Sequence, residues 1–148
     1  MDRITPERRS ANMARIRGKD TKPEMVVRHL IHSLGYRYRL HRPGLPGKPD
    51  LVFPSRMAVI FVHGCFWHQH SDPSCKNAVL PKTRTEFWEA KMRRNVERDA
   101  INVAKLKEQG YRVEIIWECE MKDLAALTRR IVQFLGDPNR SGRPAVTA

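Results

Sequence analysis

The chain has 148 residues, with 28 lysines and arginines against 16 acidic residues, a formal net charge of +12 and a pI near 10.3. This length suits one compact domain with a buried core, and no apolar run reaches the roughly 18–20 residues that span a bilayer. Three cysteines are too few, and odd in number, for a disulfide scaffold. With a charged first segment that lacks the apolar core of a signal peptide, these features predict an intracellular protein. Its basic surface is expected to bind a polyanion, with nucleic acid the first candidate.

The positive charge is concentrated at the N-terminal end of the chain. Residues 1–49 hold 12 basic and 4 acidic side chains, whereas residues 50–81 hold two of each. A basic segment of this kind is either a solvated tail or an arm that contacts phosphates. The neutral block is rich in histidine, cysteine and aromatic residues, so catalytic or metal-binding residues are expected there.

The first half of the chain is predicted to form helices followed by short strands. A basic helix is expected over 5–16 and a second over 22–34, where a capping box precedes apolar residues at helical spacing. Alternation of apolar and charged residues over 36–40 predicts a half-buried strand. Residues 42–49 contain three prolines and two glycines and cannot be regular structure. A short strand is predicted over 50–53.

The second half is predicted to contain a central strand, a long loop and two more helices. The continuous apolar run 57–62 fits a strand buried on both faces. The connection 64–82 is long for a small domain and is therefore predicted to be functional. A long helix is expected over 86–109, capped by the threonine at 83 or at 85. A strand over 111–117 and a last helix over 123–135 follow.

These elements predict one mixed α/β domain built around a central sheet. We divide the chain into a basic N-terminal arm over 1–19, the folded domain over 20–135 and a polar tail over 136–148 that is expected to be mobile.

One candidate constellation contains every cysteine of the chain. Cys65, His70 and Cys75 lie in the long loop, and Cys119 follows the last predicted strand. Three thiolates and one imidazole suit tetrahedral Zn²⁺, and a closed set of four indicates a structural site. The alternative is three ordinary reduced cysteines and a surface histidine.

A second constellation surrounds Asp50, which follows Pro49 at the start of a strand. Restriction-type nucleases place a metal-binding aspartate there and usually continue with an Asp/Glu-x-Lys triplet on the next strand. The corresponding triplet here is 61–63, Phe-Val-His, so the second carboxylate and the lysine are both absent. On pattern alone, Asp50 is either such a ligand or a turn former.

Asp99 interrupts the apolar face of the long predicted helix. That face consists of Met92, Val96, Val103 and Leu106. An acid on a buried face costs free energy unless it is paired. Asp99 therefore either makes a local hydrogen bond or orients a histidine, for which His63 and His68 are the candidates.

Aromatic residues cluster in sequence near the loop, at Phe66, Trp67, Phe87 and Trp88. Neighbours such as Phe66 and Trp67 are not expected to face one core together, so one of them would be free to insert between bases. The alternative is that all four are packed, as aromatic residues usually are.

Several motifs together resemble the very-short-patch-repair (Vsr) family of DNA mismatch endonucleases. The resemblance runs from about residue 8 to 135. Its motifs are Leu45–Asp50 (LPGKPD), 61–68 (FVHGCFWH), 83–88 (TRTEFW), 95–99 (NVERD) and 117–119 (WEC).

The resemblance implies a restriction-endonuclease-like fold of the PD-(D/E)xK type with a structural zinc. It implies a Mg²⁺-dependent nick in one strand of duplex DNA, 5′ to the thymine of a T:G mismatch formed by deamination of 5-methylcytosine. It also implies a monomer in the bacterial cytoplasm, at the nucleoid when acting. Mismatch-repair proteins and a cognate cytosine-5 methyltransferase system are the implied partners.

The resemblance also assigns roles to residues. Asp50 and the backbone carbonyl of Val62 would bind Mg²⁺. His68 would transfer the proton of the attacking water, and Asp99 would orient His68. Glu24 and His63 would assist, although Glu24 also fits the capping box. The remaining roles are the DNA wedge, at Phe66, Trp67 and Trp88, and the zinc ligands, at Cys65, His70, Cys75 and Cys119.

Two alternatives remain at this point. One is a zinc-stabilised DNA-binding module without catalysis, which would need the basic arm and the metal but not Asp50, His68 and Asp99 together. The other is a related restriction-like nuclease with a different target.

Overall fold

The computed structural model of the chain describes residues 21–40, 42–72, 75 and 78–138. The predicted arm over 1–19, its expected helix, and residues 139–148 of the predicted tail lie outside this part. Within the described ranges, no helix is both long and apolar enough to cross a membrane.

The described residues form three helices and four strands. The helices are α1 (Lys22–Ser33), α2 (Thr85–Glu108) and α3 (Leu124–Leu135). The strands are β1 (Arg39–Leu40), β2 (Leu51–Phe53), β3 (Ala58–His63) and β4 (Arg112–Trp117). Short 3₁₀ turns at Pro54–Arg56 and Glu118–Lys122 complete these elements.

The four strands form one mixed sheet in the order β1-β2-β3-β4. The pairs β1–β2 and β2–β3 are antiparallel, whereas β3 and β4 run parallel with His63 opposite Trp117. Because β2 and β3 are antiparallel, the start of β2 lies beside the end of β3. One edge of the sheet therefore brings together Asp50, His63 and Glu118, the residue that follows Trp117.

Strand β3 is buried along its whole length, as its continuous apolar sequence predicts. One core cluster lies on the α1 and α3 side and includes Val27, Ile60 and Ile131. A second cluster lies on the α2 side and includes Phe61 and Leu106. Alternate residues of β3 thus face opposite layers, which makes the sheet the middle layer of the fold.

The first predicted strand is shorter than expected. Among the described residues of this segment, Arg39 and Leu40 alone pair with β2, and Leu40 is exposed. Tyr36 is instead buried beside the end of α3, where its hydroxyl donates a hydrogen bond to the carbonyl of Gly136. The alternation in the sequence therefore reflected a tertiary contact of Tyr36 rather than a longer strand.

The start of α2 also differs from the prediction. The residue before the helix is Arg84, which has a positive φ of 56° and makes no side-chain cap. Thr85 is the first helical residue, and its hydroxyl donates to the carbonyl of Lys82. The predicted threonine caps are wrong because the chain enters the helix through a left-handed residue. Asp123, in contrast, caps α3 as predicted, accepting the N–H of Ala126.

Candidate active site

Asp50 and Val62 are joined at the edge where β2 starts and β3 ends. The side chain of Asp50 is 9% exposed, and its Oδ2 accepts the N–H of Val62 at 2.6 Å. In a strand, the N–H and C=O of one residue point to the same side. The Val62 carbonyl therefore faces the Asp50 side, so the two oxygens predicted to bind a metal share one edge of β3.

Burial raises the pKa of Asp50 to about 7, because the charged carboxylate loses hydration. That value includes the neighbouring Glu24 carboxylate, which also raises the pKa of Asp50, and the Val62 N–H and Arg28, which lower it. Two acids lie beside one another in a poorly hydrated place, and the arginine beside them, Arg28, pairs with Glu24. This arrangement favours a cation at the sheet edge.

Glu24 is 3% exposed and serves this edge from α1. Its backbone N–H donates to the Thr21 hydroxyl at 3.4 Å, which is the capping contact that the sequence predicts. Its carboxylate faces Asp50 and accepts from Arg28 at 3.1 Å. The cap and the active-site position are thus both occupied, by different atoms of the same residue.

His68 and Asp99 form the second half of the site. Their Nδ1 and Oδ2 atoms are 2.6 Å apart, and both side chains are about a quarter exposed or less. With Asp99 on Nδ1, the opposite nitrogen of His68, Nε2, is available to a substrate. The prediction that Asp99 pairs with a histidine is confirmed, and the histidine is His68.

His63 stacks on His68, with ring centroids 3.8 Å apart and planes 6° from parallel. Burial, together with the adjacent His68, lowers the pKa of His63 to about 4, while Asp99 opposes this shift. His63 is therefore neutral at physiological pH. Its Nδ1 is buried and has no hydrogen-bond partner among the described residues.

The helix α2 brings Asp99 to His68, although its buried face differs in part from the prediction. Met92 and Leu106 are buried, but Val96 is 43% exposed and does not belong to that face. Asn95 takes its place and donates from Nδ2 to the carbonyl of Trp67. The face toward the loop is therefore half polar, and Asp99 belongs to its polar part.

A cleft of about 1220 Å³ joins these groups. The predicted catalytic residues all line it: Glu24, Asp50, Val62, His63, His68 and Asp99. Four basic residues to which the sequence motifs gave no role line it as well: Lys22, Lys48, Lys91 and Arg98. An anionic substrate in this cleft would meet cations around a centre that holds acids and imidazoles.

The four predicted zinc ligands come together at the other side of the loop. One ligand atom each from Cys65, His70, Cys75 and Cys119 lies within 4.8 Å of the others. His70 Nδ1 is 3.8 Å from the sulfur of Cys65 and 3.4 Å from that of Cys119. The expected convergence is therefore confirmed, including that of Cys75.

The donor set fits a soft or borderline cation with four ligands. Burial raises the pKa of the Cys65 thiol to about 12, and burial also raises that of Cys119. Without positive charge nearby, burial favours the protonated form of these two thiols, and a cation would reverse this preference. Three sulfurs and an imidazole in this compact group match tetrahedral Zn²⁺.

Gln69 lies between His68, which pairs with Asp99, and His70, which lies among the cysteines. Its φ is +49°, a left-handed value for a residue with a side chain. The Gln69 side chain donates to the carbonyl of Phe66 at 2.6 Å, which closes the turn. This reversal directs His68 to Asp99 and His70 to the cysteines.

The predicted wedge residues form a single aromatic group. Phe66 contacts Trp67 edge-on at 5.0 Å and Trp88 at 5.5 Å, and all three are half-buried. Phe87 extends the group and is 41% exposed. Phe66 and Trp67 belong to neither core cluster, so the expectation that they would not share one core holds. They lie together instead, because both pack on Trp88, and both line the cleft.

Lys91 is a member of this group that the sequence motifs did not indicate. Its ammonium lies 5.2 Å from the Trp67 ring and 5.7 Å from the Trp88 ring. Helical spacing was the available signal, because Lys91 follows Trp88 by three residues and Phe87 by four.

Comparison with known proteins agrees with this geometry. The model of the family "DNA mismatch endonuclease Vsr" matches residues 1–76. "Type II nicking enzyme V.XorIIP" of Xanthomonas oryzae pv. oryzae is 51% identical over 93% of this chain and 98% of that protein. "DNA mismatch endonuclease Vsr" of Escherichia coli is 43% identical over 81% of this chain and 75% of that protein.

A solved structure supports the fold. The catalytic domain of the homing endonuclease I-Bth0305I superposes with a TM-score of 0.55 at 19% identity, covering 82% of this chain and all of that domain. The predicted restriction-endonuclease-like fold is confirmed by this likeness and by the mixed sheet with its flanking helices. On the strength of the family match and these relatives, the chain belongs to the Vsr family of DNA mismatch endonucleases.

Proposed function

We propose that this protein nicks one strand of duplex DNA 5′ to the thymine of a T:G mismatch and so starts very short patch repair. The observation that carries the proposal is the cleft in which the Asp50–Val62 edge faces the His68–Asp99 pair. A DNA-binding module without catalysis would not need these groups together. The relatives named a mismatch endonuclease and a nicking enzyme support the same interpretation.

Mg²⁺ is the cation we propose for the sheet edge. The carboxylate of Asp50 and the carbonyl of Val62 are hard oxygen donors, which Mg²⁺ prefers, and Glu24 lies close enough to assist. When bound, the ion supplies charge that polarises a phosphate and neutralises developing negative charge. The raised pKa of Asp50 fits a carboxylate that needs such a partner.

The proton-transfer groups in the proposed reaction are His68 and Asp99. Asp99 accepts the Nδ1–H of His68, which fixes the tautomer whose Nε2 is a base. That nitrogen would take a proton from the attacking water and leave Asp99 to stabilise the imidazolium. His63 is neutral, and its stacked ring would hold the plane of His68 without competing for the proton.

The aromatic group, of which Phe66 and Trp67 line the cleft, would recognise the weakened step. Phe66, Trp67 and Trp88 present three faces of one apolar surface beside the catalytic groups. Inserting rings between base pairs costs unstacking free energy, which is lower at a mismatch. Selectivity for T:G would then come in part from deformability of the DNA.

We also propose that Cys65, His70, Cys75 and Cys119 hold a structural Zn²⁺. The metal would fasten the polar loop that carries His68 to the end of β4. It would stay bound whether or not the active site is intact.

The test is nicking of a T:G duplex in Mg²⁺, with each strand labelled. Asp50→Ala and His68→Ala should abolish nicking and keep wild-type zinc content. Cys75→Ser should lower zinc content and thermal stability. Loss of zinc in the Asp50 or His68 variants would contradict the separate roles given to the two sites.

The same assay weighs the alternatives. A protein that binds DNA tightly without Mg²⁺ and never nicks would be a binding module. Equal cutting of paired and mismatched duplexes would indicate a nuclease with another target.

The proposed setting is the bacterial cytoplasm, where a monomer acts on nucleoid DNA. A cytosine-5 methyltransferase encoded nearby would give the sequence context in which to place the mismatch. Recruitment by mismatch-repair proteins belongs to the same proposal and is tested by adding them to the assay.

A further inference from the structure

Lys48 is a cation of the cleft to which neither the motifs nor the reaction described above gives a role. It is exposed, lines the same cleft as Asp50 and His68, and precedes Asp50 by two residues. Its ammonium makes no hydrogen bond or ion pair with any residue in the described ranges. A charge in this position is free for a ligand.

The backbone around Lys48 is held in a costly conformation. Leu45–Lys48 is a turn closed by the Lys48 N–H on the Leu45 carbonyl at 3.1 Å, with Pro46 and Gly47 at its centre, as in type II turns. Gly47 has a φ of +73°, and a Cβ there would lie 3.0 Å from the Asn102 side chain. The turn is thereby fixed against α2.

Lys48 itself follows the turn with a φ of +49°, a region that glycine or asparagine enters more cheaply. Backbone strain of this kind collects at functional sites, where a side chain is needed despite the cost. In contrast, Lys22 lies on the regular helix α1. The ammonium of Lys91 lies against the rings of Trp67 and Trp88.

The triplet on β3 lacks the lysine that restriction-type nucleases usually carry, since residue 63 is a histidine. His63 does not take the place of that lysine, because its side chain is buried and its ring is stacked on that of His68. Lys48 lies on the segment that leads into β2 and lines the cleft together with Asp50, so it offers the positive charge that the triplet lacks.

We propose that Lys48 is a catalytic residue that contacts a non-bridging oxygen of the phosphate to be cleaved. This inference rests on the proposed nicking function. The ammonium would hold the phosphate against Asp50 and stabilise the charge that develops on it when water attacks. The strained backbone at Lys48 aims the side chain into the cleft.

The first experiment measures single-turnover nicking at saturating T:G duplex. Lys48→Met should lower the rate about a hundredfold, whereas Lys48→Arg should retain more than a tenth of it. Lys105→Met is the matched control, because Lys105 is exposed in the last turn of α2, outside the cleft, and should keep the wild-type rate.

Lys48→Gly separates charge from strain. Glycine relieves the left-handed backbone, so this variant should be at least as thermally stable as the wild-type protein and yet as slow as Lys48→Met. A rate within threefold of wild type in either variant would overturn the proposal. Weaker binding of every duplex with an unchanged rate at saturation would also overturn it, because that result means that Lys48 contacts the DNA backbone without taking part in cleavage.

The second experiment measures binding in Ca²⁺ and does not depend on cutting. Neutral methylphosphonates are scanned along both strands of a duplex that the protein binds. One substitution should weaken wild-type binding about tenfold and leave Lys48→Met unaffected. If every substitution affects both proteins equally, Lys48 contacts no single phosphate and the proposal fails.

The two experiments keep the proposals apart. If the wild-type protein leaves the T:G duplex intact while the coupling at one phosphate is found, the nicking function fails and the Lys48 contact stands. If nicking occurs but neither the coupling nor the rate loss is found, the nicking function stands and the Lys48 contact fails.

Discussion

At the scale of single residues, Asp50 combines burial with a nearby acid, and its environment favours the protonated form. Its pKa is raised to about 7 by burial and by Glu24. An acid whose pKa rises on folding stabilises the fold fully below its unfolded value near 4. That contribution is lost as pH rises toward 7. Without a cation, the ionised site is therefore a source of instability above neutrality.

Asp50→Asn should accordingly make the metal-free protein more stable than wild type at pH 8, on the order of 2–4 kcal/mol, with the gap closing toward pH 4. Wild-type affinity for Mg²⁺ should fall about tenfold for each pH unit below 7, since the proton and the ion compete. Thermal unfolding and Mg²⁺ titration across pH measure both effects. The exposed Glu108→Gln is the control, and a pH-independent gap for Asp50→Asn would refute the argument.

At the scale of elements, the sequence predicted the helices and central strand well because their patterns are long. The interruption of an apolar face was also enough to single out Asp99. What it did not predict depends on contacts between distant segments. Arg84 and Gln69 adopt positive φ although neither is glycine, and Val96 is exposed because Asn95 turns toward Trp67. Nothing local in the sequence encodes these choices.

Apart from Asp99, the candidate active-site residues were predicted through motifs rather than through periodicity. The stacking of His63 on His68, and the meeting of Glu24 with Asp50, require strand register and helix docking together. Residue spacing alone does not contain this information.

The loop over 64–70 provides a test at this scale. Gln69→Gly should preserve most of the zinc content and of the nicking rate, because glycine adopts the same φ without cost and keeps the backbone N–H bond to the Phe66 carbonyl, although the side-chain bond is lost. Gln69→Val should lose much of both, since a β-branched residue opposes the left-handed conformation by about 1–2 kcal/mol or more. Metal analysis and nicking rates are measured on the same preparations. If valine is tolerated as well as glycine, the reversal at Gln69 does not position the two histidines.

At the scale of the whole molecule, charge and chemistry are segregated along the chain. Residues 1–19 carry six basic and two acidic side chains, whereas the block over 50–81 is neutral and holds much of the candidate active site and of the Cys/His cluster. Binding to the phosphates of the DNA backbone would come mainly from the arm and from the basic residues around the cleft.

Deleting residues 1–19 should therefore weaken DNA binding and flatten its dependence on salt, by about 0.9 in the log–log slope for each phosphate that the arm no longer neutralises. Zinc content should not change. Binding is measured by titration at several salt concentrations, with a protein in which the six basic residues of the arm are replaced by glutamine as the matched variant. An unchanged slope in both proteins would exclude the arm from binding the DNA backbone.

The helix α2 carries Trp88 near one end and Asp99 eleven residues further on, a rise of about 16 Å along its axis. Hydrogen-bonded helices do not stretch, so this separation acts as a ruler. Suppose that the aromatic rings open one base step and that His68 acts on a phosphate at another. The distance between that step and that phosphate is then set by the length of α2 between Trp88 and Asp99. The position of the nick would then be counted from the distorted step rather than read from the flanking bases.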